Sequence, residues 1–365
     1  MRMIIAAALA LTLLSAPGAQ TADAEGDAME ASLANAFAAG DLKGLHSVLV
    51  LRHGEVFAEA YFEGKDERWG APSGSRHGPE TLHDIRSISK SVTAILYGIA
   101  LDRGLAPGLD ESLIAQFPEY PDLAADPEWR RITVRDALTM RMGIEWDEDK
   151  PYTSAENSEI AMELADDRYR FVLSRPVTGP PGGDWTYNGG ATALIAALIE
   201  RGTGLPLADF AREALFAPLG IDSFEWIEGS DGRAAAASGL RLTTRGLAAI
   251  GRLVAEGGVH NGEALVPAAW VAEMTRPHGA DLPFGLRYGY FWWLAPKGVA
   301  AKGEAPDDDR PFWVAGFGNG GQRLWIAPRH GLVAVVFAGR YNDMEAWRLP
   351  VAVISDHLAP AVGLK

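Results

Sequence analysis

The sequence predicts a mixed α/β (α+β) fold, in which one antiparallel sheet is built from both ends of the chain and flanked by helices. Near the N-terminus, residues 46–51 and 56–62 are rich in β-forming side chains and are separated by the short segment 52–55, which is typical of a β-hairpin. Near the C-terminus, aromatic and β-branched runs at 288–293, 322–327 and 331–339 are also typical of strands. Since neither group has another sheet to join, we expect both groups to pair with each other.

Between these strands the sequence predicts a mainly helical region. Apolar residues at helical spacing favour helices at residues 87–101, 155–171, 191–200, 207–215 and 242–256, with two more at the chain ends, 31–39 and 343–357. The sequence therefore predicts a sheet domain formed by residues 25–80 and 288–365, a mainly helical domain formed by residues 81–287, and an active site between them.

Composition excludes several classes of function. The net charge of −15 argues against nucleic acid and anionic membranes as partners, because both bind clustered Lys and Arg. The chain has no cysteine, which excludes disulfides, thiolate chemistry and cysteine-based zinc sites. The acidic run at residues 307–309 lacks the alternating ligand spacing of a calcium loop. We expect a small-molecule substrate, no cofactor and no metal, and the sequence leaves the oligomeric state open.

The first 24 residues have the pattern of a secretory signal peptide. Arg2 precedes an apolar run at residues 4–14, which is too short to span a bilayer, and small residues follow. Ala19 and Ala24 are both possible cleavage positions; the alternative is that this segment is a first core helix. No later segment is apolar enough to cross a membrane, so we expect a periplasmic or secreted protein.

The candidate catalytic sequence is Ser87-Ile88-Ser89-Lys90. In a helix, residues three apart share a face, so the Lys90 amine can reach the Ser87 hydroxyl. Lys90 is the only charged residue between positions 89 and 101, and burial together with the helix N-terminus should disfavour its ammonium form. A neutral amine would activate the serine as a nucleophile. Ser-x-x-Lys alone is weak evidence, since roughly one occurrence is expected by chance.

Two later segments give this pattern a context. Tyr187 stands between a Pro/Gly-rich turn and an apolar helix, where a side chain can face a cleft. Beside a lysine its phenol should ionise more readily and relay protons, whereas the alternative is simple packing against Trp185. The glycine-rich segment 316–321 is predicted to let a substrate carbonyl approach the backbone of a strand.

Together these segments resemble the serine β-lactamase and penicillin-binding protein superfamily, specifically its class C-like branch of esterases and amide hydrolases. The resemblance is carried by residues 84–91, 132–146, 238–242 and 320–322, in this order and spacing. It implies a β-lactamase-like fold and an acyl-enzyme that water hydrolyses, with no metal required. It also implies roles for individual residues: Ser87 as nucleophile, Lys90 as general base, Tyr187 as proton relay to the leaving group, and the backbone N–H groups of Ser87 and Asn319 as oxyanion hole.

Two departures from the family pattern narrow the expected substrate. Asn188 stands one place early for a Tyr-x-Asn motif, and Gly316-Phe317-Gly318 stands where Lys-Thr-Gly would be, which removes the cation that binds a substrate carboxylate. We therefore expect a small ester or amide substrate. The alternatives are a β-lactamase or D-amino-acid peptidase of the same fold, or a non-catalytic binding protein on this scaffold.

The expected substrate-binding residues are glycines of these motifs and nearby aromatic residues. They are Gly189, Gly316, Phe317, Gly318, Gly320, Trp185 and Trp292, with further aromatic walls expected from Trp146, Tyr152 and Trp293.

Overall fold

The computed structural model of the protein describes residues 17–364, with side chains described from residue 24 onward except at position 283. The apolar run 4–14 of the expected signal peptide lies outside the described residues. The described strands are β1 Leu45–Arg52, β2 Glu55–Tyr61, β3 Glu67–Arg68, β4 Ala71–Pro72, β5 His83–Asp84, β6 Phe224–Trp226, β7 Leu240–Leu242, β8 Val259–His260, β9 Glu263–Ala264, β10 Arg287–Tyr288, β11 Trp293–Leu294, β12 Val314–Gly318, β13 Gln322–Ala327 and β14 Leu332–Ala338.

The central sheet has seven antiparallel strands in the order β10-β11-β12-β13-β14-β1-β2. Strand β1 near the N-terminus pairs with β14 near the C-terminus, with Val48 opposite Val336. The other neighbour of β1 is β2, its hairpin partner. The prediction of one antiparallel sheet built from both chain ends is therefore confirmed. The predicted strand at 288–293 is two short strands instead, because a turn separates β10 from β11 and Phe291 adopts a positive φ of 58° there.

The α-helices, again in chain order, are α1 Pro17–Ala39, α2 Ile88–Asp102, α3 Val134–Leu138, α4 Ser158–Glu163, α5 Arg168–Leu173, α6 Gly189–Thr203, α7 Leu207–Ala211, α8 Thr244–Ala255, α9 Ala268–Met274, α10 Arg348–Ala352 and α11 Ala359–Ala361. Wider helical turns extend α7 through Arg212–Phe216 and join α10 to α11 through Val353–Leu358. The predicted helix at 155–171 is two helices, since Asp167 caps a new helix by accepting the Arg170 N–H. None of the described helices is both long and apolar enough to cross a membrane.

The sheet is covered on both faces, which explains why β1 is buried along nearly its whole length. Val48 and Val50 pack with α1 and the C-terminal helices, whereas Leu49 and Leu51 belong to the larger core on the opposite face. This alternation follows from the two-residue period of a strand. The larger core contains α2, in which every residue from Ile88 to Ala100 is buried. The predicted division into two domains remains a prediction.

Candidate active site

Ser87 lies at the start of α2, after a turn in which the backbone is strained. Arg86, the residue before it, has a φ of 50°, a backbone conformation that residues other than glycine rarely adopt. Its guanidinium lies 3.1 Å from Asp84 and 4.7 Å from the centroid of the Tyr341 ring, and these contacts hold the turn. Such strain costs about 1–3 kcal/mol and is common at functional sites. The turn brings the Ser87 side chain to the wall of a cavity.

Lys90 is buried beside Ser87, as the spacing predicts. Its Nζ lies 3.3 Å from Ser87 Oγ, 3.0 Å from Glu159 Oε2 and 3.1 Å from the carbonyl oxygen of Ala237. An ammonium group has three N–H donors, and each of these three oxygens can accept one. The site therefore satisfies the charged form of Lys90 completely.

This environment favours the charged form of Lys90, a question that the sequence leaves open. Burial does oppose the charge, but the negative charge of Glu159, with smaller contributions from Tyr187 and Glu148, outweighs burial and raises the pKa of Lys90 well above its ordinary value of 10.5. Burial alone does not decide the charge of Lys90, because its counter-charge comes from a distant part of the chain. Glu159 is itself only 1% exposed. Burial would raise the pKa of Glu159, but the charge of Lys90 outweighs burial and holds that pKa below its ordinary value.

Glu159 lies on the short helix α4, within the region 155–171 where the sequence predicts a single longer helix. Asn157 caps α4 by accepting the N–H groups of Glu159 and Ile160, which fixes the helix start. Ser238 donates its hydroxyl to Glu159 Oε1, so both carboxylate oxygens have partners. The sequence reading missed Glu159, since its only signal is an acidic residue that turns inward on a short helix.

A second carboxyl group, Glu148, lies next to this ion pair and lines the cavity. Its Oε1 accepts the backbone N–H of Gly189 at 2.5 Å and the indole N–H of Trp146 at 2.6 Å, and its Oε2 accepts the Tyr152 hydroxyl at 2.8 Å. Burial and the charge of Glu159 raise the pKa of Glu148 to about 7. Glu148 therefore exchanges a proton near neutral pH.

Tyr187 lies against the same lysine, with its ring centroid 4.8 Å from Lys90 Nζ. Burial raises the pKa of the phenol above 10.0, although the charge of Lys90 and a hydrogen bond with Ser87 oppose the rise. The charge of Lys90 thus favours ionisation of the phenol, as the sequence suggests, but burial outweighs this effect. Tyr187 stays protonated and is able to donate.

The glycine-rich strand approaches protein rather than substrate at two of its positions. A Cβ on Gly316 would lie 2.9 Å from Ile88 Cγ2, and one on Gly318 would lie 2.4 Å from the carbonyl oxygen of Ile85. These glycines therefore let β12 pack directly against the turn that presents Ser87. Among the described residues, the backbone N–H groups of Ser87 and Asn319 donate to no other group, so both remain available to a ligand.

The cavity at this site has a volume of about 640 Å³, within the usual range for small-molecule sites. Of the residues expected at the site, the following line it: Ser87, Tyr152, Tyr187, Trp293, Phe317, Gly318, Asn319 and Gly320.

Five residues expected to contact substrate lie behind the cavity wall instead. Trp292 is fully buried in the core, and Trp185 packs behind the rings of Tyr187 and Trp293. Trp146 is buried, and both its indole N–H and the backbone N–H of Gly189 donate to Glu148. Gly316 packs against Ile88 of α2. These residues therefore support the cavity wall from behind.

Arg323 is a cavity-lining residue that the sequence reading missed. It lies on β13 opposite Phe317, and its guanidinium carbon is 3.5 Å from the centroid of that ring. Its side chain is only 7% exposed, and it forms no ion pair with any residue that the structure describes. Burial lowers the pKa of Arg323 to about 9. The cavity therefore contains a buried guanidinium that is not engaged in an ion pair within the part of the chain that the structure describes.

Comparison with known proteins agrees with this geometry. The family model described as Beta-lactamase matches residues 31–353. The 6-aminohexanoate-dimer hydrolase of Paenarthrobacter ureafaciens is 27% identical over 79% of this chain and 70% of its own length. Esterase EstB of Burkholderia gladioli is 26% identical over 47% of this chain, and the match spans less than half, 44%, of that relative. The solved structure of EstCE1, a hydrolase with promiscuous acyltransferase activity, is similar in fold, with a TM-score of 0.71 and 15% identity over 95% of this chain and 100% of that one.

Proposed function

The chain belongs to the β-lactamase family, and we propose that it is a serine hydrolase which cleaves a small ester or amide through an acyl-enzyme on Ser87. One observation carries the assignment of the nucleophile: Ser87 Oγ faces a cavity of about 640 Å³ and lies 3.3 Å from a lysine that is itself paired with a buried carboxylate.

The ion pair determines where the serine proton goes. Because Lys90 is an ammonium, it accepts a proton from Ser87 only as it passes one of its own to Glu159, 3.0 Å away. The electron pair freed on Ser87 Oγ then forms the bond to the substrate carbonyl carbon. Lys90 thus acts as a relay, and the Lys90–Glu159 pair together is the general base. General-base catalysis of this kind contributes roughly 10²- to 10⁴-fold to a rate.

The leaving group is protonated by Tyr187, whose phenol keeps its proton beside Ser87. When the tetrahedral intermediate collapses, the phenol gives its proton to the leaving oxygen or nitrogen and recovers one from Lys90. The negative oxygen of the intermediate is bound by the backbone N–H groups of Ser87 and Asn319. Losing one such donor typically costs roughly a hundredfold or more in rate. Water then hydrolyses the acyl-enzyme.

A serine-reactive fluorophosphonate probe tests this proposal. The wild type should form one covalent adduct, Ser87→Ala should form none, and Ser355→Ala, which changes an exposed serine outside the cavity, should label as the wild type does. An equal adduct on Ser87→Ala would contradict the assignment. Turnover of a short-chain aryl ester compared with that of a chromogenic cephalosporin then separates an esterase from a β-lactamase.

Arg323 favours a second candidate within the same chemistry, a substrate that carries a carboxylate. The missing lysine of the third motif argued against such a substrate, but Arg323 brings a cation to the cavity from the neighbouring strand. If this role is right, Arg323→Gln raises KM for an aryl ester with a free carboxylate about tenfold or more and leaves KM for its uncharged counterpart unchanged. Equal effects on both esters would exclude it.

We also propose that residues 1–24 are removed on export to the periplasm or the medium. Cleavage after Ala24 leaves the contacts of α1 with the sheet intact, because Glu25 pairs with Arg52 at 3.0 Å and the helix packs on β2 at Gly26. Intact-mass measurement of protein from the periplasmic and extracellular fractions tests this. Recovery of only the full-length chain, in the cytosol, would refute it.

A further inference from the structure

Three histidines and an aspartate form a cluster outside the catalytic cavity. His46 comes from β1, His83 from β5, and Asp66 and His77 from the connection between β2 and β5. One ligand atom from each of the four residues lies within 4.8 Å of those from the other three. His46, Asp66 and His83 are buried, and His77 is half-buried. We propose that these four residues bind one divalent transition-metal ion of the zinc type.

Proton positions in the cluster favour a cation at its centre. His83 Nδ1 lies 3.0 Å from the carbonyl oxygen of Asp84, which only accepts, so Nδ1 carries the proton and Nε2 presents a lone pair. That Nε2 lies 2.9 Å from His46 Nδ1 and 3.4 Å from Asp66 Oδ1, another acceptor. The partner of the His83 lone pair must therefore come from His46 or from a ligand.

Neither neutral form of His46 completes the hydrogen bonding. If His46 Nδ1 carries its proton, it donates to His83, but the buried Nε2 of His46 then presents a lone pair towards the carbonyl oxygen of Lys65, which only accepts. If Nε2 carries the proton instead, two nitrogen lone pairs face each other across 2.9 Å, with a carboxylate oxygen nearby. A metal ion accepts both lone pairs and the carboxylate charge at once.

The surrounding contacts are those that orient metal ligands. Asp66 Oδ1 accepts the Tyr341 hydroxyl at 2.9 Å, and His83 donates its second ring nitrogen to a backbone carbonyl. His77 Nε2 lies 3.1 Å from the carbonyl oxygen of Gly64, which leaves its other nitrogen as an acceptor. Partners of this kind fix the tautomer and orientation of ligating side chains.

The donor set points to the class of ion. Imidazole nitrogens with one carboxylate oxygen suit zinc and its first-row neighbours, whereas calcium and magnesium require oxygen ligands. Tetrahedral bonds of zinc to nitrogen and oxygen place neighbouring ligand atoms about 3.3 Å apart. The ligand-atom distances of 2.9, 3.4 and 3.9 Å in the cluster lie on both sides of that value, so small movements complete the geometry.

The position of the cluster indicates a structural role. His83 lies four residues before Ser87, and its ring stacks on Phe337 of β14 with centroids 4.6 Å apart. An ion bound here would join the sheet strand β1, the β2–β5 connection and the segment that leads into the nucleophile. It would touch none of the reacting atoms.

The test uses the untagged protein, since an added histidine tag would itself bind metal. After incubation with excess Zn²⁺ and dialysis, elemental analysis should find about one Zn²⁺ per chain in the wild type and in His260→Gln, a histidine outside the cluster. It should find none in His77→Gln or Asp66→Asn. His77 is half-buried, so its variant is the one expected to fold most normally. Co²⁺ in place of Zn²⁺ should give the visible absorption of a four-coordinate site only in the wild type and the His260 variant.

Stability supplies an independent readout. A thousandfold excess of Zn²⁺ over its Kd should raise the Tm of the wild type by about 5 °C, and the rise should disappear in His77→Gln. Less than a tenth of an equivalent of Zn²⁺ in the wild type, or equal binding in wild type and His77→Gln, would overturn the proposal. The first result would mean that the hydrogen bond between His46 and His83 holds the cluster together without a metal.

Discussion

Replacing Glu159 by glutamine tests the ion pair on which the proposed mechanism depends. At the observed separation of 3.0 Å, two unit charges attract by about 5.5 kcal/mol in a medium of effective dielectric constant near 20. Removing one partner of a buried pair typically costs about 3–5 kcal/mol. Because the charge of Glu159 helps to raise the pKa of Glu148, its loss lets Glu148 ionise and partly replace it. We therefore expect Glu159→Gln to lower the free energy of unfolding by about 3 kcal/mol at pH 7.

The pH dependence of this loss follows from the two pKa shifts. The pKa of Lys90 is raised above 10.5 in the folded protein, so its contribution is complete below pH 10.5 and is lost as pH rises through the folded value. The pKa of Glu159 is lowered below 4.5, so its contribution is complete above pH 4.5 and is lost as pH falls through the folded value. The stability difference between wild type and Glu159→Gln should therefore be largest between pH 4.5 and 10.5 and shrink on both sides.

The same substitution should lower kcat/KM for an aryl ester by about 10²- to 10⁴-fold at pH 7, with residual activity that rises with pH as Lys90 becomes neutral. Urea unfolding across pH and ester kinetics measure the two effects. The matched control is Glu163→Gln, the same change on the same helix, at a carboxyl that is also buried but faces Arg168. Glu163 lies 3.2 Å from Arg168, which keeps Asp231 as a second partner, so Glu163→Gln removes a buried carboxyl without touching Lys90 and should leave kcat/KM nearly unchanged. If Glu163→Gln lowers kcat/KM as much as Glu159→Gln does, the reasoning about Glu159 is wrong.

Three further substitutions probe neighbouring groups. Tyr187→Phe should lower kcat/KM about 100-fold or more while changing the free energy of unfolding by less than about 1.5 kcal/mol, as measured by ester kinetics and urea unfolding. Glu148→Gln should remove an inflection near pH 7 from the pH–rate profile. The variant should also be more stable than the wild type, because the raised pKa of Glu148 makes ionisation of this carboxyl unfavourable in the folded state. This difference should grow from zero near pH 4.5 to about 1–3 kcal/mol at pH 7 and above. Gly189→Ala should lower stability by about 1–3 kcal/mol and reduce ester turnover, since its Cβ would lie 2.5 Å from Glu159 Oε2; unchanged kinetics would show that the carboxylate moves aside freely.

Local signals in the sequence were sufficient for the sheet, for α2 and for the meeting of Ser87 with Lys90. The strands, α2 and the meeting of Ser87 with Lys90 depend on periodicity within a short segment, which the sequence displays directly. The pairing of the two strand groups follows because neither group has another sheet to join. The protonation states depend instead on residues far away in the chain. Glu159 reaches Lys90 from 69 positions later, and Ala237 from 147 positions later. No local pattern records such contacts, so the sequence could supply the burial of Lys90 but not its counter-charge.

The sequence also did not show which way side chains on a strand or turn point, and this misplaced several expected substrate contacts. Gly316 and Trp292 belong to segments correctly placed near the site, but their side-chain positions point into the core. The register that decides this is set by pairing across the sheet, where Phe317 lies opposite Arg323. The same pairing that sends Gly316 inward brings Arg323 to the cavity. A reading of β12 alone therefore overestimated the contact of its glycines with substrate and missed the cation on its neighbour.

The glycine at position 189, where the family pattern has asparagine, and the carboxylate of Glu159 depend on each other. In the Tyr-x-Asn pattern, an asparagine would stand at Gly189, two positions after Tyr187. A side chain there would occupy the space that the Glu159 carboxylate fills, because even a Cβ would lie 2.5 Å from Oε2 and 2.9 Å from Cδ of that residue. Glycine at this position thus makes room for the carboxylate beside Lys90. The change that removes a neutral amide from the motif admits a negative charge in its place, and that charge keeps Lys90 protonated. The missing asparagine therefore agrees with the proposed route of the serine proton through the Lys90–Glu159 pair.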